Sequence, residues 1–198
     1  MIDISLTDFV DFVTRSGVTK QTKVRQLKNR PPYSPQTNYY KTLREGIVEM
    51  HCKQYSITLL ERLCDNLPPN KRENYPAVVE AYKKFCKQKN LDWFEPCVGQ
   101  WTHNDLAIRL NPELGLHIGS IPYIIKLYFK ADKISKEKVG LILQLLEEEF
   151  PQQTLLGVQF GILDIQRSRL LTRDPRRPNL MPLLYGEATS LQTIWHNL

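Results

Sequence analysis

The chain has no glycine-rich phosphate loop. Neither GxxxxGK[ST] nor GxGxxG occurs, which removes the P-loop and dinucleotide-fingerprint classes. GxSxG and HExxH are also missing, so a nucleophile-elbow hydrolase and an HExxH zinc protease are excluded. No run approaches the ~18–20 apolar residues that a membrane helix needs. The opening MIDISLTDFV carries Asp3 and Asp8 and no basic n-region, unlike a secretory signal. Cysteine is sparse. Cys52, Cys64, Cys86 and Cys97 form no CxxC pair, so they read as reduced, mostly buried thiols of a cytoplasmic protein. Adjacent His51 and Cys52 lack the spacing of zinc ligands.

Another absence is local. Between Arg15 and Arg44 there is no Asp or Glu, but eight cations: Arg15, Lys20, Lys23, Arg25, Lys28, Arg30, Lys41 and Arg44. A second cluster follows late, at Arg167, Arg169, Arg173, Arg176 and Arg177. The net charge is +6 and the pI about 9.1. Local excess of one sign attracts a phosphate backbone through counterion release. It equally fits a solvated face, or a basic arm docked on acids of the same chain.

What is present is an ordinary folding composition: 41% hydrophobic and 24% charged residues over 198 positions suffice for a real core. Ser5 caps a helix to about Thr14, with Leu6, Phe9, Val10 and Val13 on one stripe. Pro31, Pro32 and Pro35 predict an extended connection. Helices follow at about 39–53, 56–65 and 74–86, the last with Val78, Val79, Tyr82 and Phe85 inward.

The period then changes to two. Leu106, Ile108 and Leu110, then Leu114, Leu116 and Ile118, then Ile121 to Phe129, predict a three-stranded antiparallel meander. A Gly119-Ser120 turn pairs Ile118 with Ile121, Leu116 with Tyr123 and Leu114 with Ile125. A loop at 111–113 pairs Leu110 with Leu114 and Ile108 with Leu116. Ser135 starts a crossover helix to Phe150. It ends in Glu147-Glu148-Glu149, the wrong charge for a helix C-terminus. The apolar run 155–165 reads as a strand buried on both faces, and a last helix covers 189–197. The fold class expected is therefore mixed, α+β or α/β. A basic helical region (1–75) precedes an αβββαβ core with a C-terminal helix (76–198), the two also readable as one continuous domain.

The αβββαβ order resembles the core of PD-(D/E)XK nucleases. That resemblance implies Mg²⁺-dependent cleavage of DNA or RNA, with one acid before the second strand and acid-x-Lys on the third. Pro112-Glu113 and Lys126 match the pattern, and Ile124 stands where the second acid belongs. Metal-assisted phosphodiester cleavage needs converging carboxylates, so Glu113 and Lys126 are the catalytic candidates. Glu80 and Asp105 are further acids to consider. An RNase H-like order would use Asp105 and Asp164 instead. Alternation puts Ile124, Lys126, Tyr128 and Lys130 on one face, opposite the core, where Glu113 and Lys126 form a cross-strand pair. Arg25, Lys28, Arg30, Arg44, Arg109, Tyr128 and Lys130 are the expected nucleic-acid contacts.

The sequence thus predicts a nucleic-acid-binding protein on a nuclease-like, catalytically degenerate core. DNA or RNA is its partner, and it needs no cofactor. The alternative is a protein-interaction adaptor, suggested by the glutamate triplet and the proline-punctuated arm. A third reading is an active Mg²⁺-dependent nuclease.

Overall fold

The computed structural model describes residues 1–31, 38–65, 67–176 and 178–198. The expected Pro32–Pro35 connection and Arg177 lie outside the described residues.

Ile2 and Ile4 alternate with Asp3 and Ser5 and form β1 (Ile2–Ser5). Ser5 then caps α1 (Leu6–Val13), accepting from the Asp8 N–H and donating to the Asp8 carboxylate. The basic stretch becomes α2 (Val18–Lys28), begun by Gly17 at φ 51°. Next come α3 (Lys41–Cys52), the short α4 (Thr58–Arg62) and α5 (Asn74–Cys86).

The strands among the described residues form two sheets. A three-stranded sheet has the order β1-β4-β3, with β3 at Gly99–His103 and β4 at Leu106–Leu110. A five-stranded sheet has the order β2-β5-β6-β7-β8. Its strands are β2 (Leu91–Phe94), β5 (Leu114–Ile118), β6 (Ile121–Tyr128), β7 (Gln159–Asp164) and β8 (Arg169–Thr172). Helices α6 (Lys136–Glu149) and α7 (Pro151–Leu155) join β6 to β7, and α8 (Met181–Asn197) closes the chain.

The mixed class holds, with the N-terminal helices preceding most of the strands. The β5–β6 hairpin has the expected register: Ile118 opposite Ile121, Leu116 opposite Tyr123 and Leu114 opposite Ile125, with Gly119 at φ 64°. The three-stranded meander is corrected. β4 does not pair with β5. It lies in the other sheet, parallel to β1 and antiparallel to β3. Two better neighbours take it: β1 in parallel and β3 through the Asn104-Asp105 turn, where Asn104 adopts φ 51°. Residues 111–113 carry the chain from one sheet to the other. β6 and β7 are parallel across α6, and β7 is buried from Phe160 to Asp164, but the expected strand over 155–165 is shortened, because Leu155 and Leu156 end α7 in solvent.

Both faces of the five-stranded sheet are covered, so it has no solvated face as expected for the meander. On one side α3, α4 and α5 build a core with Leu114, Leu116, Ile125, Leu127 and Leu163. On the other, α1, α6 and α8 pack with Ile124, Phe160 and Ile162 and with the inner face of the small sheet. α6 contacts strands of both sheets, which is why its residues from Leu141 to Leu146 are all buried. Gly115 opposite Ile124 has a packing reason: a Cβ there would sit 2.8 Å from the Phe94 ring. Cys52 is exposed and the other thiols are half-buried, so the cysteines are less buried than expected. No helix among the described residues is long and apolar enough to cross a membrane.

Candidate nucleic-acid interface

The Glu113 N–H donates to the Ile125 carbonyl at 3.0 Å, so this residue extends the β5–β6 ladder by one step. Its carboxylate then meets Lys126, whose Nζ lies 2.5 Å from Oε1 and also donates to the Asn111 carbonyl at 2.8 Å. The other carboxylate oxygen accepts the Leu127 N–H at 2.8 Å. Arg44 arrives from α3 with Nε 3.5 Å from Oε1 and its guanidinium over the Phe129 ring. The expected cross-strand pair is present, and a second cation completes it.

This set does not fit Mg²⁺. A hard cation needs several oxygen ligands. Here one carboxylate faces two cations, and Ile124 is fully buried where a second acid would stand. Among the described residues no group of three or more His, Cys, Asp or Glu is gathered to hold a metal. The cavity beside Lys126, walled by Val10, Asp11 and Lys138, measures about 40 Å³, room for a few waters and not for a nucleotide. The further acids are engaged separately. Glu80 pairs with Lys83 at 2.8 Å, and Asp164 with Arg167 at 3.3 Å. Asp105 pairs with His196 at 2.6 Å and Gln192 at 2.7 Å. The hydrogen bond from His196 holds the Asp105 carboxyl below its usual range. Asp105 precedes a strand of the small sheet and Asp164 ends one of the large sheet, so the RNase H-like pairing is not assembled.

Five of the eight cations of the acid-free N-terminal stretch, Lys20, Lys23, Arg30, Lys41 and Arg44, pair with carboxylates. Lys20 binds Glu187 of α8. Lys23 and Arg30 both bind Asp8, at 2.9 and 2.8 Å. Burial alone would raise the Asp8 pKa, but hydrogen bonds from Arg30, Lys23 and Ser5 outweigh it and hold the carboxyl far below the usual range. Lys28 donates to the Trp195 carbonyl at 2.9 Å. Arg25 and Arg15 project into solvent with no ionic partner among the described residues. The expected row on the sheet is also divided. Arg109 sits on the solvent face of the small sheet, paired with Asp3 at 3.1 Å. Tyr128 and Lys130 belong with the large sheet. Tyr128 is half-buried, its hydroxyl pKa raised by burial and by nearby Asp164, and Lys130 faces Asp11 at 3.6 Å.

The open cationic surface lies elsewhere. A groove of about 590 Å³ runs between the start of α6 and the β7–β8 hairpin. Lys133, Lys136, Arg167, Arg169 and Arg173 line it, against Asp164 and Asp174. It sits past the C-terminal ends of parallel β6 and β7, the usual ligand side of such strands. Ser168, in the left-handed region at φ 52°, ties the hairpin turn to α5 through the Ala81 carbonyl at 2.7 Å. Arg167 is held by Asp164 and the Ala131 carbonyl, and Arg173 by Glu147. That last pair gives one member of the glutamate triplet a structural partner. Lys133 and Arg169 make no ion pair or side-chain hydrogen bond among the described residues, and both are exposed.

Arg167, Arg169 and Arg173 were visible as a cluster in the sequence. Lys133 and Lys136 were missed. Their signal was local: Lys133 and Lys136 stand on either side of the Ser135 cap at the start of α6. The chain matches no protein-family model and no curated protein.

Proposed function

We propose that this protein binds nucleic acid through the cationic groove and does not cleave it. The carrying observation is the five cations that line the groove against two acids. A surface with that surplus releases counterions when phosphates replace them. The nuclease-like resemblance draws support from one topological fact. In the large sheet α5, β2, β5, β6, α6 and β7 follow in an αβββαβ order, with β2 in the place that the sequence reading gave to Leu106–Leu110. Lack of cleavage follows from Glu113 being occupied by Lys126 and Arg44, with Ile124 in the core.

The test is retention on single-stranded and duplex DNA and RNA at low salt, read by fluorescence anisotropy. Binding should weaken linearly in log–log salt plots, by ~0.7 per phosphate contact on single strands. Incubation with Mg²⁺ or Mn²⁺ should leave the nucleic acid intact. No retention on any form at low salt would sink the reading. Cleavage abolished by Glu113→Gln would restore the active nuclease.

A protein-interaction role draws on a different observation. Leu155 and Leu156, at the end of α7, are 86% and 75% exposed and adjacent. Association insensitive to nuclease treatment and lost in Leu155→Ser with Leu156→Ser would favour it.

A further inference from the structure

We infer that the groove between α6 and the β7–β8 hairpin is a pocket for a nucleoside monophosphate unit, the phosphorylated end of a single strand or the free nucleotide. This rests on the nucleic-acid reading and makes it specific.

Size comes first. A volume of about 590 Å³ falls within the ~300–1,000 Å³ of small-ligand sites. A duplex offers such a recess only its outer phosphates. A single nucleotide can enter. The walls divide by chemistry. Val139, Leu143, Leu171 and Leu180 supply apolar lining for a base beside the cations. Gln144 is nine-tenths buried in the same wall. Its oxygen accepts from Arg173 and from the Leu180 N–H, while its amide nitrogen donates to no group among the described residues and is left for a base edge or sugar.

Charge selects the terminal phosphate. Lys133 and Arg169 are lining cations that form no ion pair among the described residues; Asp164, the cross-strand neighbour of Arg169, is engaged by Arg167. A phosphomonoester carries about −1.5 to −2 at pH 7, with its second pKa near 6, whereas an internal diester carries −1. Two uncommitted cations match the monoester.

The test compares one short single strand with and without a terminal phosphate, binding the full chain at low salt. The phosphorylated strand should bind about tenfold tighter at pH 7.5. That advantage should vanish in Arg169→Gln and in Lys133→Gln, and should shrink at pH 5, where the monoester loses its second charge. Both side chains are exposed, so the variants should keep the native circular dichroism and melting temperature. Competing ligands separate the sources. A nucleoside monophosphate that displaces the strand as well as a phosphorylated oligonucleotide assigns the site to the free nucleotide, and weaker displacement assigns it to a strand end. Inorganic phosphate displacing as well as either would overturn the nucleotide-sized pocket. Equal affinity for the two strands would overturn this inference and leave nucleic-acid binding standing. Loss of all binding would overturn both.

Discussion

Lys23, Arg30 and Arg44 each pair with a carboxylate of their own chain, whereas Lys133 and Arg169 at the groove form no ion pair among the described residues. Most of the N-terminal cations serve the fold, Arg15 and Arg25 excepted. Asp8 receives two of them in a nearly closed site, and Glu113 receives Arg44 together with Lys126. At the groove, Asp164 and Glu147 engage only Arg167 and Arg173. The lesson is that local charge density says little about availability. An ion pair sealed in the interior is costly to break and of no use to a ligand, while an uncommitted cation on an open wall costs the fold little and can bind.

The largest expected effect tests the sealed side. Ile124→Asp would complete the acid-x-Lys pattern, but it puts a carboxylate where the side chain is 0% exposed. It should destabilise the protein by at least about 4 kcal/mol and create no cleavage. A stable variant that cuts nucleic acid in Mg²⁺ would break the comparison.

Asp8→Asn comes next. It keeps the shape of the carboxylate and leaves the Lys23 charge, 7% exposed as a residue, without its counterion. A loss of about 3 kcal/mol is expected in chemical denaturation. The native protein should lose the same contribution by acid. Because the folded Asp8 pKa is depressed, its stabilisation is complete above about 4, the unfolded value, and declines as pH falls below it. The variant should lack that part of the acid limb.

The sealed interior includes His51, whose Nε2 lies 2.6 Å from the Tyr82 hydroxyl. Burial pushes its pKa down to about 4. The unfolded imidazole titrates near 6.5, so the unfolded state binds more protons between these values. Stability should therefore fall as pH drops from about 6.5 to 4, by up to about 3 kcal/mol. His51→Gln should flatten this window. An unchanged pH profile would show that His51 opens to solvent.

The smallest effect is the sharpest contrast. Arg25→Glu should change stability by less than about 0.5 kcal/mol, since Arg25 is exposed and unpaired among the described residues. Its effect on nucleic-acid affinity should be well below that of Arg169→Gln. A larger effect at Arg25 would return the contact surface to the N-terminal helix.

Several elements were legible because their causes are local. Ser5 and Ser135 announce helix starts through their capping hydroxyls, and both caps form. The Gly119 turn fixes the β5–β6 register, which in turn brings Glu113 to Lys126. β4 was misassigned because Leu106, Ile108 and Leu110 alternate equally well for any partner. β1 lies a hundred residues away, and only the fold brings it alongside. β2 and β3 were unread, being four and five residues long without clean alternation. The groove was half legible: the arginine cluster showed, but its meeting with Lys133 did not.

By itself the sequence determined the mixed class, the helix caps, the hairpin register and the Glu113–Lys126 pair. Each depends on neighbours within a few residues or across one turn. Only the tertiary structure decided that the chain makes two sheets, that the large sheet is covered on both faces, and that most cations of the first basic cluster meet carboxylates while part of the second lines an open groove. Those outcomes depend on which distant carboxylate or strand packing brings near, and separation along the chain carries no record of that.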